Sequence, residues 1–137
     1  MHCQAITPVL NISDMEQSFQ WFAQLGWNKS WDWGDPPSFG CVGSGECEIF
    51  LCLNGQGGRG RGVNTGTFHG QDGETADKGV WLTLWVEDVD QVYQSCRDKS
   101  IEVMLEPEDM PWGVRELHVR HPDGHVFRIS QGLDSMC

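Results

Sequence analysis

Basic residues are scarce in this chain of 137 residues, where nine Lys and Arg stand against twenty Asp and Glu for a formal net charge of −11. A phosphate backbone asks for clustered cations, so the composition argues against a nucleic-acid partner. The acid is spread along the chain: residues 1–53 hold six acidic and one basic, 54–78 three of each, and 79–137 eleven and five. Most of it reads as solvated surface, although any part lining a site would draw in cationic ligands. No apolar stretch is long enough to cross a bilayer, and the opening MHCQAITPVL lacks the basic start and unbroken apolar run of a signal peptide. A cytoplasmic protein without a membrane partner is expected. The six cysteines (Cys3, Cys41, Cys47, Cys52, Cys96, Cys137) form no C-x-x-C pair. Cys47 and Cys52 fall on opposite faces of a regular strand, so neither zinc nor a local disulfide is implied; reduced core fillers are expected.

The length fits one domain, 1–137, with a real core. A strand is predicted over Ala5–Ile12. Asp14 follows as an N-cap with Gln17 as its capping-box partner, Met15, Phe19 and Phe22 make an apolar helical face that takes Trp21 into the core, and Gly26 ends the helix. Trp27, Trp31 and Trp33 are placed on one side of the next extended run, which Asp35, Pro36 and Pro37 break. Ser38–Gly43 and Glu46–Leu53 read as two short strands. Residues 54–78 carry eight of the seventeen glycines and almost no apolar side chains, as a connector would. The run Gly57-Gly58-Arg59-Gly60-Arg61-Gly62 lacks the Lys-Ser/Thr ending of a phosphate loop, and two arginines make little of an RNA-binding patch.

The pattern then restarts. Val80, Leu82, Leu84 and Val86 alternate with Trp81, Thr83, Trp85 and Glu87 as a strand with one aliphatic and one aromatic-rich face. Asp88 and Gln91 repeat the helix start; Val89, Val92, Tyr93 and Cys96 repeat the stripe, and Ile101–Glu106 is the next strand. Val114, Glu116, His118 and Arg120 alternate with Arg115, Leu117 and Val119, and Pro122-Asp123-Gly124 turns the chain into Val126–Ile129 as a hairpin, with Asp123 and Gly124 both suited to left-handed backbone. Leu10, Ile12, Asp14, Gln17, Phe19, Gln20 and Trp27 match Leu84, Val86, Asp88, Gln91, Tyr93, Gln94 and Ile101 at a constant offset of 74. The economical architecture is α+β: two βαβββ modules, 1–53 and 79–137, closing against each other or against another chain as a cupped mixed β-sheet.

This layout, with Ser13-Asp14 and Glu87-Asp88 after their strands and His121-Pro122-Asp123-Gly124-His125 in the last hairpin, resembles the glyoxalase, bleomycin-resistance and extradiol-dioxygenase (vicinal oxygen chelate) superfamily. Trp112-Gly113-Val114-Arg115-Glu116 leading into Pro-Asp-Gly is most similar to its drug-binding bleomycin-resistance branch; His121 departs from the Asp that usually precedes Pro-Asp-Gly. In the enzymes so resembled, His and Glu side chains on the concave face hold a divalent metal. The matching positions here carry Thr7, Phe50, Trp81 and Arg128, which offer no carboxylate, imidazole or thiolate, and Arg128 would repel a cation. No metal, cofactor or catalytic residue is therefore expected.

Other combinations were weighed. His118, His121 and His125 do not share a face as a helical H-x-x-x-H pair would, so hydrogen-bonded or solvent-facing roles are preferred to zinc. Glu48, Glu116 and His118 meeting as acid and base is the catalytic alternative, with no nucleophile in view. Seven tryptophans exceed what one core needs, and broad aromatic faces stack on flat rings and attract cations. The resemblance implies a homodimer that binds and sequesters an aromatic or cationic small molecule. Trp33, Phe39, Phe50, Trp81, Trp85 and Trp112 are the expected stacking groups, Glu48, Glu116 and His118 the polar contacts, and Arg128 the occupant of the metal position, pairing with a carboxylate of protein or ligand. The alternatives are a metal-dependent glyoxalase-type lyase or dioxygenase with ligands at other positions, and a small-metabolite sensor.

Overall fold

A computed structural model describes residues 1–53 and 79–133; the expected connector at 54–78 lies outside them. The chain divides into two compact units, 1–77 and 78–137. The first runs β1 (Val9–Ile12), α1 (Met15–Leu25), β2 (Asn28–Trp33), β3 (Phe39–Ser44) and β4 (Cys47–Leu53). The second runs β5 (Trp81–Trp85), α2 (Val89–Asp98), β6 (Glu102–Asp109), β7 (Val114–Arg120) and β8 (Val126–Gly132). Each is a four-stranded mixed sheet with the same order, β1-β4-β3-β2 and β5-β8-β7-β6, and in each the first strand is parallel to the last. This is the expected α+β fold of two βαβββ modules.

The repeat extends to the backbone. Asp14 and Asp88 both sit in extended conformation, φ −149° and −145°, and each carboxylate accepts the amide of the residue three on, Gln17 and Gln91, at 3.0 and 3.1 Å. The cap supplies an acceptor to an amide that has no partner within the helix. Gly26 closes α1 at φ 105°, whereas Lys99 closes α2 at φ −113°.

In the first unit Leu10, Ile12, Val42, Ile49 and Leu51 are buried along with Met15, Trp21 and Phe22 of α1. Phe22 is fully buried, which removes roughly 2–3 kcal/mol of apolar surface cost from water. Trp27 joins this core: it is 8% exposed and its ring lies 6.1 Å from that of Phe22. The expectation that Trp27 shares a side with Trp31 and Trp33 therefore fails. The cause is a β-bulge: Lys29 pairs with Val42 and Trp31 with Cys41, so two residues of β2 oppose one of β3 and the side-chain parity flips. Before the bulge Trp27 and Lys29 face α1, where Lys29 Nζ stands 4.8 Å over the Phe19 ring. After it Trp31 and Trp33 face away from the helix. The first strand is also shorter than predicted, beginning at Val9 instead of Ala5.

In the second unit Val89 and Cys96 of α2 are buried with Leu117, Val119, Phe127 and Ile129 of β7 and β8. Gln131 Oε1 accepts the Val89 amide at 2.8 Å, and Arg115 grips Asp90 of α2 at 3.0 Å and Asp109 of β6 at 2.9 Å. These contacts put Arg115, Leu117 and Val119 on the helix side of β7, leaving Glu116, His118 and Arg120 on the open side. The hairpin turn closes through Gly124 N–H to His121 O and His121 N–H to His125 O, both 2.8 Å. Gly124 alone in it takes a positive φ, 93°; Asp123 does not, against expectation. Beside this turn Gly79 has no room for a side chain, since an added Cβ would stand 2.5 Å from the His125 amide nitrogen and 2.6 Å from the Gly124 carbonyl. Among the described residues no helix is long and apolar enough to cross a membrane.

Candidate functional site

Each sheet has a face turned away from its helix, and most of the expected site residues stand on these two faces. In the first unit Val9 pairs with Phe50, Phe50 with Cys41, Cys41 with Trp31, and Phe39 with Trp33, so these residues share the open side. Trp31, Phe39 and Phe50 form an aromatic cluster. Trp31 and Phe39 stack at 6.0 Å, and Phe50 meets Trp31 edge-on at 5.5 Å and Phe39 at 5.4 Å. Trp33, at the strand end, is 69% exposed. Trp31 was missing from the expected set although its alternation with Asp32 and Trp33 marked it. Glu48 is exposed on the same face, one step of period two from Phe50.

The second open face is built around a buried charge. Glu116, in the middle of β7, is 2% exposed. Its Oε2 accepts from Trp112 Nε1 at 2.9 Å and from Arg128 Nη2 at 2.6 Å, and its Oε1 meets His118 Nε2 at 2.9 Å. Three partners from the loop before β7, from β7 itself and from β8 thus converge on one carboxylate. Burial alone would raise the Glu116 carboxyl, but the bonds from Arg128, His118 and Trp112, with the Arg128 charge, outweigh it and bring the pKa down to about 2. Charge-assisted bonds of this kind are the strong class. Trp81 on β5 lies edge-on to His118, ring centroids 5.4 Å apart, and Trp81, Trp85 and Trp112 are 51%, 68% and 58% exposed.

The question of Arg128's partner, open from sequence, has an answer in the protein itself: Glu116. The registers also give Arg128 and Phe50 equivalent places. Leu10 pairs with Leu51 and its repeat partner Leu84 pairs with Ile129; one step back, Val9 pairs with Phe50 and Thr83 with Arg128.

His121 and His125 stand apart from this face. Both are buried, their rings 5.4 Å apart, and they hold the hairpin: His121 Nδ1 accepts the Asp123 amide at 2.9 Å and His125 Nδ1 accepts the Val80 amide at 3.1 Å. Burial, reinforced by His125 and opposed by Asp123, lowers the His121 pKa to about 4. Their work is structural.

The model of the Glyoxalase/Bleomycin resistance protein/Dioxygenase superfamily matches residues 2–129. The chain belongs to that superfamily. Solved structures share its fold at low identity. The bleomycin resistance determinant encoded on the transposon Tn5 is 15% identical, with 95% of this chain and 98% of that one covered at a TM-score of 0.68. A bleomycin-binding protein complexed with bleomycin is 17% identical, covering 95% and 99% at 0.67. TioX from Micromonospora sp. ML1 is 18% identical, covering 98% and 100% at 0.68. No curated protein sequence matches.

Thr7, Phe50, Trp81 and Arg128, the positions that the superfamily resemblance implies for metal ligands, do not fit a divalent cation. Their only nitrogen donors are an indole and a permanently charged guanidinium. Among the described residues no three His, Cys, Asp or Glu side chains are grouped to hold a metal. Glu116 and His118 do come together, but on Arg128 and Trp112.

Proposed function

We propose that this superfamily member is a binding protein that sequesters an aromatic or cationic small molecule without a metal. The observation that carries the reading is Arg128. It stands where the superfamily resemblance implies a carboxylate ligand and is tied at 2.6 Å to Glu116, which also binds Trp112 and His118. The polar centre of the face is thereby committed to fixing side chains in place. Around it the exposed rings of Trp81, Trp85 and Trp112 offer stacking surface, and the open face of the first unit carries its own exposed rings, Trp31 and Trp33. One similar structure is of a bleomycin-binding protein with bleomycin, and the proposal extends ligand capture from that protein to this chain. The net charge of −11 favours cations at long range and disfavours nucleic acid.

The proposal includes a homodimer, since large exposed aromatic surface commonly marks an interaction site, and a cytoplasmic setting in which Cys3, Cys41, Cys47, Cys52 and Cys96 stay reduced. Three measurements test it. Metal analysis of the purified protein, before and after exposure to nickel, zinc and manganese, should find no stoichiometric ion; a tightly held one sinks the metal-free reading. Tryptophan fluorescence titration with bleomycin-like glycopeptides and planar aromatic drugs should show saturable quenching by at least one of them; none with any removes the binder reading. Size-exclusion chromatography with light scattering should give twice the chain mass.

A further inference from the structure

We propose that the open face of the second unit takes a planar aromatic ligand bearing a carboxylate, with the rings on Trp81 and Trp112 and the carboxylate on the outer edge of Arg128. This rests on the small-molecule reading above and chooses within it.

Three observations carry the choice. First, the anion of the face is already used. Glu116 is 2% exposed and receives Arg128, His118 and Trp112, so it has neither exposure nor free geometry to receive a ligand cation. Second, the cation is only partly used. A guanidinium has five N–H donors in a planar fork. Arg128 spends Nη2 on Glu116 and its Nε is buried without an acceptor among the described residues, but its side chain as a whole remains 35% exposed, so the ligand carboxylate meets the exposed part of the fork and not Nε. Third, the aromatic surface surrounds that fork. Arg128 pairs in register with His118 on β7 and Thr83 on β5; Trp81 stands two residues before Thr83 and packs edge-on against His118, and Trp112 shares the Glu116 oxygen that Arg128 holds.

Two other charged groups bear on the face. Arg120 is engaged with Glu102 at 4.0 Å. Glu108 lies opposite Glu116 in the β6–β7 register and is exposed, which opposes an anion, but a charge in water is screened over about 8 Å at physiological salt. A direct bond from Arg128 is not screened in that way. The same argument sets aside the net charge of the chain, which steers approach and does not decide the contact.

The test is isothermal titration calorimetry of the full chain with naphthoate, naphthamide and naphthylmethylammonium, which share one ring system, at neutral pH and physiological salt. Naphthoate should bind about tenfold more tightly than naphthamide, the size of one charge-assisted bond. Arg128→Gln should bring the two within about twofold of each other. Because that variant leaves Glu116 buried without its cation, E116Q/R128Q serves as the second variant: it removes both charges together, so that no buried charge is left unpaired, and should show the same loss of preference. Naphthamide or naphthylmethylammonium binding as tightly as naphthoate overturns the carboxylate assignment and leaves the small-molecule reading standing. A naphthoate preference that survives both variants overturns the role of Arg128. Failure of all three probes overturns this inference together with the stacking on which the broader reading depends.

Discussion

Replacing Arg128 by methionine removes the guanidinium and keeps most of the apolar stem. Glu116 then remains 2% exposed, with the Trp112 and His118 bonds but without the 2.6 Å contact. Removing one member of a buried ion pair costs about 3–5 kcal/mol because the other is left uncompensated. Arg128's side chain is 35% exposed and two donors persist on Glu116, so water and those bonds recover part of the loss and about 2 kcal/mol remains. The acid limb gives an independent check. The Glu116 carboxyl sits at about 2 in the folded chain against an ordinary 4.5, burial raising it and the bonds from Arg128, His118 and Trp112 more than offsetting this. A carboxyl depressed by folding stabilises the protein above its unfolded pKa and loses that contribution as pH falls through the folded value. The relevant window is therefore 4.5 down to about 2, and the displacement is worth about 3 kcal/mol. Urea unfolding of wild type, R128M, E116Q and the double variant, from neutral to acid pH, measures both effects. R128M should lose about 2 kcal/mol at neutral pH and E116Q, a neutral stand-in for the protonated carboxyl, about 3 kcal/mol. The double variant should be more stable than the sum of the singles predicts by at least about 1 kcal/mol, and variants lacking Glu116 should lose less stability across the acid window. Additive effects together with an unchanged acid limb would refute the account of Glu116 as the centre of the face.

Three further outcomes follow from the same geometry. His121, lowered from 6.5 to about 4 first by burial and then by His125, stabilises the fold above pH 6.5 and loses that contribution as pH falls toward 4; H121N, whose amide oxygen can still accept the Asp123 N–H, should flatten the stability profile between those values. Gly79→Ala would drive a Cβ to 2.5 Å from backbone that cannot yield cheaply, so differential scanning calorimetry should show a loss of about 2 kcal/mol or more, and a neutral result would mean that β5 and the turn at Gly124 pack less closely than described. Asp14→Ala and Asp88→Ala remove equivalent caps and should each cost about 1 kcal/mol in chemical denaturation, to within a few tenths of each other if the two helix starts are a true repeat.

Much of this architecture was legible because its signals are local. Asp14 and Asp88 each announce a cap within three residues, and Pro122-Asp123-Gly124 announces a hairpin, though not that Gly124 alone takes the left-handed backbone. The constant offset of 74 from Leu10 to Trp27 announced the repeat, while Phe50 and Arg128 lie 78 apart and owe their equivalence to matching places in the last strand of each module. What was misread depends on non-local pairing. Nothing in Asn28–Trp33 by itself says that Lys29 and Trp31 will fall on opposite faces, because the bulge arises in the pairing with β3; Trp27 is consequently expected among the wrong neighbours. The candidate site was legible as a set of positions and not as a network. That Glu116 and His118 share a strand face follows from period two, but convergence of Trp112 and Arg128 on the same carboxylate requires β8 to lie beside β7 in one particular register. Glu48 belongs to the first unit and makes no part of that network among the described contacts.

The central claim is that a face built on Arg128 and Glu116 captures an aromatic small molecule with no metal ion. The most direct measurement is calorimetric titration of chelator-treated protein with naphthoate, repeated after saturation with nickel, zinc or manganese. Saturable binding of the same affinity in every case is the predicted result. Binding that appears only when a divalent ion is restored would contradict it.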